Sequence, residues 1–292
     1  MMPYVKNRGV VLDILNSVDD LKIYRGNDYQ INDFVTIKQP TLEQICDYGE
    51  KKYYNMIYTL CSVGADLKWQ LDDIGIDYTT IDDFELFYTI LARTYTMEQT
   101  HILFGNDIDF SKMHIIHSKE LQENVMVQFY QQCPHCGYKR LFSGQQYDAE
   151  FKCKKCEEVL QTKFFQIDKF VYLSIVNVLR KIHKIKRNNE MPGNEATRQI
   201  LIEDAREDFE SKKDKPNKSY LLSLISSMVN SEGFKRNDIT VFDMKIYAFM
   251  DSVARIGKIK NAELLLQSGY SGFGIDLKKI NKEETNWIGD IN

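Results

Sequence analysis

The residues best placed to do chemistry are two Cys-x-x-Cys pairs, Cys133-Pro-His-Cys136 and Cys153-Lys-Lys-Cys156. The spacing Cys-x2-Cys-x16-Cys-x2-Cys is that of a four-cysteine zinc site. Two thiolates three residues apart on a tight turn can both reach one ion at about 2.3 Å, and two such turns complete a tetrahedron. Gly137, directly after Cys136, permits the left-handed backbone that such a turn needs. Four thiolates saturate zinc and leave no position for water or substrate, so the metal implied is structural rather than catalytic. A redox role is disfavoured because no βαβ frame surrounds either pair. His135 is an alternative ligand to one thiolate, but a solvent-facing position on the turn explains it better.

Other constellations are weaker. His114 and His117 would share one face of a helix, with Asp107 or Asp109 nearby to complete a metal site; surface or satisfied histidines are the plainer reading. His183 sits among Arg180, Lys181, Lys184, Lys186 and Arg187, a run that could meet a phosphate backbone but is more simply the solvated face of an amphipathic helix. Asp72, Asp73, Asp77, Asp82, Asp83 and Glu85 could gather a divalent cation, yet they match no EF-hand loop and read as helix-capping acids. Gly269, Gly272 and Gly274 follow a helix rather than a strand, which argues against a phosphate cradle. Tyr270 and Phe273 beside them could form a docking surface. No HExxH, GxSxG or Cys-His pairing occurs, and the sequence is expected to encode no enzyme.

These residues must be positioned by a mainly α fold: two helical segments with a small inserted β zinc ribbon. Residues 1–120 read as an extended pair followed by helices, 121–166 as the ribbon and 167–292 as a second helical segment with a Gly/aromatic tail. In the first, "DYQINDFVTIKQP" suggests two extended pieces around a turn at Asn32 and Asp33. Thr41 and Gln44 make a capping-box pattern before a helix, and Thr79 or Thr80 would cap another. In the ribbon, "VMVQFY", "YKRLF", "EFKC" and "VLQTKFF" are rich in Val, Phe and Tyr and read as strands. In the last segment, helices are expected over 168–187 (Phe170, Leu173, Val176, Leu179 and Ile182 or His183 inward) and 194–215 (Ile200, Leu201, Ala205 and Phe209 inward, ending before Pro216). A third runs over 219–233, stopped at Gly233. One long or two shorter helices fill 238–269, with Thr240 and Asp243 as a cap pair. Cys46 and Cys61 read as buried free thiols.

Composition excludes some classes. The 292 residues are 43% apolar and 27% charged, which is globular rather than disordered. A net charge of −4 gives no reason to expect a general nucleic-acid binder. Lys139, Arg140, Lys152, Lys154, Lys155 and Lys163, with Phe142, Tyr147 and Phe151, nevertheless offer the basic and aromatic mixture on which single strands stack. Asp148, Glu150, Glu157 and Glu158 dilute that patch, and the lysines also offset thiolate charge. No membrane span is expected, and the first twenty residues lack a signal-peptide pattern.

Two stretches carry a resemblance. "NDYQINDFVTIKQPTLEQICDYGEKKYY", with "LDDIGIDY" and "ILFGNDIDFSK", is one; "LISSMVNSEGF" followed by "IYAFMDSVARIGKIKNAELLLQSGYSGFGIDLKKINKEETNWIGDI" is the other. Together they resemble tail-module proteins of tailed bacteriophages of Gram-positive bacteria, here with a zinc-ribbon insertion. The resemblance implies a non-enzymatic tail or baseplate structural or assembly protein. Its partners would be other tail or baseplate proteins, with homo-oligomerisation possible, and its location the virion or the host cytoplasm during assembly. The contacts would fall on the ribbon and on 269–288, including Trp287. The alternative is a zinc-ribbon nucleic-acid-binding regulator.

Overall fold

A computed structural model describes residues 20–141, 151–213, 218–271, 274 and 276–291. Phe142, Tyr147, Asp148, Glu150, Pro216, Gly272, Phe273 and the first nineteen residues, all invoked above, lie outside the described residues. The fold is mainly α with a small sheet. In chain order, α1 (Asp20–Tyr24) precedes a hairpin of β1 (Tyr29–Gln30) and β2 (Thr36–Ile37). The Asn32 side chain makes the turn, accepting from the amides of Phe34 (2.9 Å) and Val35 (2.8 Å). Thr41 and Gln44 form the capping box of α2 (Leu42–Tyr48). Gly49, at φ +99°, breaks the run and starts α3 (Glu50–Cys61).

Next come α4 (Lys68–Asp73) and α5 (Asp83–Leu86). Asp82, not Thr79 or Thr80, caps α5, its carboxylate accepting from the Phe84 amide at 3.0 Å. Three other acids of that cluster are likewise engaged: Asp77 accepts from Thr79, Asp73 pairs with Arg206 (2.6 Å) and Asp83 with Arg187 (2.8 Å). They neutralise neighbouring cations rather than converge on an ion. Helix α6 (Met97–Phe104) leads to the sheet of β3 (His114–Ser118), β4 (Glu123–Gln132), β5 (Lys139–Leu141) and β6 (Gln161–Ile167). All pairings are antiparallel, and β4 is central: β6 lies along one edge, while β3 and β5 share the other end to end.

Because His114 and His117 lie on a strand, a spacing of three sends them to opposite faces. His114 packs on Phe129 and His117 reaches Asn124. Asp109 is buried and already holds Ser111 (2.6 Å) and Lys112 (3.0 Å). The expected histidine–aspartate grouping is therefore not assembled.

Four helices follow: α7 (Lys169–His183), α8 (Glu195–Lys213), α9 (Tyr220–Val229) and α10 (Ile246–Tyr270), and then the short α11 (Lys282–Thr285). Asp168 caps α7, on which Tyr172, Ile175, Val176, Leu179 and Ile182 face inward while Phe170 is exposed. On α8 the buried residue is Ile202; Ile200 and Phe209 are exposed, Phe209 lying 5.0 Å from Trp69 of α4. Helix α9 ends four residues before Gly233, and α10 is a single helix that runs through Gly269. Thr240 binds Asn237 rather than capping α10. Cys61 is buried, with burial pushing its thiol up to about 12, but Cys46 is exposed.

The helices before and after the sheet share one hydrophobic core. Ile45, Tyr53, Ile57, Phe87 and Phe110 from one side meet Tyr172, Leu179, Ile225, Ile246 and Phe249 from the other. The backbone stitches them as well, through Leu42 N to Met244 O (3.0 Å) and Ile246 N to Pro40 O (3.0 Å). Among the described residues no helix is long and apolar enough to cross a membrane.

His183 is part of this core rather than of a basic surface. Its Nδ1 donates to Leu179 O at 2.7 Å, so Nε2 accepts from the Tyr53 hydroxyl at 2.6 Å. Burial pushes the imidazole down to about 4. The unfolded chain therefore binds a proton below its ordinary value that the folded chain refuses, and stability falls as pH drops through the window between the two. His183 should contribute a loss of about 2 kcal/mol between pH 7.5 and pH 5. Urea midpoints at the two pH values should show that extra loss in the native protein and not in His183→Gln; equal losses in both would contradict the assignment.

Candidate metal centre

The register of the sheet brings the four cysteines together. Gln132, the last residue of β4, lies opposite Lys139 of β5 and opposite Gln161 of β6. The turn from β4 to β5 holds Cys133 and Cys136, and the turn before β6 holds Cys153 and Cys156. Antiparallel pairing on both edges of one strand thus places both turns at the same end of the sheet.

The two turns repeat one backbone design. In the first, Cys133 N donates to Tyr138 O (2.9 Å) and Gly137 N to Cys133 O (3.1 Å). In the second, Cys153 N donates to Glu158 O (2.8 Å) and Glu157 N to Cys153 O (2.9 Å). The residue after the second cysteine is left-handed in each, Gly137 at φ +71° and Glu157 at φ +62°. A bridge between Lys152 and Val159 closes the base of the second turn. This is the extended piece expected at "EFKC", reduced to a single pair.

All four Sγ atoms lie within 4.8 Å of one another. Cys133–Cys156, Cys136–Cys153 and Cys136–Cys156 are separated by 3.3, 3.4 and 3.7 Å. A tetrahedral ion with metal–sulfur bonds of about 2.3 Å needs sulfur–sulfur edges of roughly 3.8 Å. The cluster therefore fits a metal ion such as zinc, and all six cysteines are free thiols. Backbone amides favour the thiolate at each cysteine, but neighbouring sulfurs and burial outweigh them at Cys136 and Cys156, raising the first and pushing the second up to about 12. The Cys136 amide, 3.5 Å from Cys133 Sγ, leads in pulling that thiol below its ordinary range. Burial opposes the Cys153 thiolate, but amides and neighbouring sulfurs outweigh it, the Lys155 N–H first among them at 3.4 Å, and bring the group to about 6.

Cys133 and Cys153 are buried, while Cys136 is exposed. Leu160, Tyr138 and Phe151 pack around the buried pair as a cluster separate from the helical core. The Arg140 guanidinium lies 4.2 Å from the Phe151 ring. His135 is exposed and stays outside the four-sulfur group. Sequence reading identified all four cysteines and Gly137. It missed Glu157 as the counterpart of Gly137, because a glutamate carries no sign of a left-handed backbone; the matching offset from the second cysteine was the available clue.

The proposed contact residues of the tail lie elsewhere. Tyr270, at the end of α10, is 81% exposed, and Trp287 is half exposed. Arg255 of α10 donates to the carbonyls of Trp287 (2.7 Å) and Gly289 (2.8 Å), which pins the terminal segment along that helix.

The left-handed positions supply a direct test. Among the described residues other than its chain neighbours, no atom lies within 4 Å of a Cβ built on Gly137, so Gly137→Ala incurs only the conformational penalty. That penalty is about 1 kcal/mol, which is roughly a fivefold loss of metal affinity. Glu157→Gly should shift affinity in the opposite direction. Competition with a chromophoric chelator measures both; equal affinities for the three proteins would contradict the strained-turn account.

Comparison with family models, with curated proteins and with solved structures returns no match.

Proposed function

We propose that the four thiolates hold one structural zinc ion, and that the protein is a non-enzymatic component or assembly factor of a bacteriophage tail or baseplate acting through protein contacts. The observation that carries the zinc assignment is the closed four-sulfur cluster at the end of the sheet. A borderline-soft d¹⁰ ion with no redox chemistry suits four thiolates in a tetrahedron.

The energetics of the turns support a bound ion. Ordering the backbone of two six-residue turns costs about 12–24 kcal/mol. Burying Leu160 and partly burying Tyr138 and Phe151 returns only about 3–6 kcal/mol. Structural zinc supplies about 10–16 kcal/mol in comparable small sites, which closes the difference. The helical core does not share this dependence, because its packing involves none of the four sulfurs.

The tail assignment is supported by the resemblance of the two flanking segments to phage tail-module proteins. The exposed Tyr270, Trp287 and Ile288 near the chain end are consistent with a surface used by a neighbouring subunit. The ribbon would present a second such surface, held in shape by zinc.

Two measurements test the two parts separately. Protein purified without chelator should contain one zinc per chain. Removing it should abolish amide-exchange protection in 133–139 and 151–160 while the helical circular dichroism stays within about a tenth of its value. Metal-free protein with full protection in those turns contradicts the clamp. For the tail reading, mass spectrometry of particles and assembly intermediates of the encoding phage should detect the chain among tail proteins. A stable monomer that is absent from both and binds no tail protein contradicts it.

A further inference from the structure

The inner face of the sheet extends past the helical core. Beyond Met126 and Gln128, the same face of β4 carries Tyr130, opposite Leu141 and Lys163, and Gln132, opposite Lys139. Phe34, from the β1–β2 turn, lies flat on Phe165, with centroids 5.3 Å apart and planes inclined by 7°. Its ring is also 5.9 Å from that of Tyr130. The Lys139 ammonium sits over both, 5.8 Å from Phe34 and 5.9 Å from Tyr130.

Two cavities open on this surface, of about 280 and 580 Å³, and Phe34, Tyr130 and Lys139 line both. The smaller adds Lys112 and the larger adds Lys163. Each therefore sets two ammonium groups beside aromatic faces. Lys112 is paired with Asp109, but among the described residues neither Lys139 nor Lys163 is in an ion pair; Lys163 donates to Gln132 at 2.8 Å. A carboxylate lines each cavity too, Asp107 in the smaller and Asp33 in the larger.

A ligand that fills both cavities must alternate negative charge with flat apolar groups. We propose that this groove binds a single-stranded polynucleotide, with Lys139 and Lys163 on phosphates, a base stacked on Phe34, and Asp33 and Asp107 accepting from the exocyclic amino groups of bases. Stacking on an aromatic ring beside a cation is how single strands are held without strict sequence preference. The chain as a whole carries −4, so the attraction is confined to this groove rather than spread over the surface. This goes beyond the tail reading and does not depend on it.

Fluorescence anisotropy on the full chain, with fluorescein-labelled twelve-nucleotide oligodeoxycytidylate and oligocytidylate, whose bases carry the exocyclic amine, tests the proposal; the two probes report DNA or RNA preference. Binding of at least one should weaken roughly tenfold between 50 and 200 mM KCl, as two to three phosphate contacts on a single strand require. Lys139→Gln and Lys163→Gln should each flatten the salt slope by about 0.7. Phe34→Leu should lower affinity at least about fivefold at unchanged slope. Unchanged thermal unfolding of the lysine variants separates lost contacts from lost structure. Absence of binding by both oligonucleotides at 50 mM KCl overturns the proposal, as does binding indifferent to all three substitutions. Tighter binding of a twelve-residue polyglutamate than of either oligonucleotide also overturns it and assigns the groove to an acidic protein segment.

Discussion

Strand β4 leads from one hydrophobic cluster directly into another, and its register ties the two together. Met126 and Tyr130 lie in the core shared by the helices, whereas Cys133, one residue past the strand, lies in the small cluster around the sulfurs. A strand rises about 3.3 Å per residue, so this one element bridges the two regions. Its hydrogen bonds to β5 and β6 fix where the two cysteine turns emerge. A slip of one residue in either pairing would turn the core-facing side chains outward and separate the thiols. Packing of the helices and assembly of the metal centre are therefore set by the same constraint.

The two ends of β4 differ in what stabilises them. At the inner end, large side chains from widely separated helices exclude water, and buried polar groups such as His183 and Tyr53 satisfy each other. At the outer end there are too few apolar side chains to order the backbone. Amides aimed at sulfur help to hold the turns there, and the proposed metal ion would supply the rest. The exposed Lys152, Lys154 and Lys155 offset the negative charge of four thiolates. The basic residues of the second turn would thus serve a local electrostatic purpose, whereas Lys139 and Lys163 line the aromatic groove.

Features written over a few residues were legible in the sequence. The cysteine spacing, the Thr41–Gln44 capping box, the Asn32 turn and the mainly helical character with a small β segment all depend on neighbours in the chain. Features that depend on distant partners were not. Which faces of α7 and α8 are buried depends on the elements packed against them: Ile202 joins Leu71 and Leu91 in a buried cluster and Phe209 packs on Trp69, while Phe170 and Ile200 stay exposed. His114 and His117 changed faces because β-pairing with β4 overrode a spacing that looks helical. The aromatic groove joins Phe34 to Tyr130 and Phe165 across about a hundred residues, and periodicity carries no record of such a contact.

X-ray absorption at the zinc edge of the purified, unchelated chain tests the central claim most directly, because it counts the atoms bound to the ion. Four sulfurs at about 2.3 Å with no nitrogen or oxygen neighbour is the predicted first shell. A shell with nitrogen or oxygen in place of any thiolate, or protein that carries no zinc, would contradict a closed structural site built by Cys133, Cys136, Cys153 and Cys156.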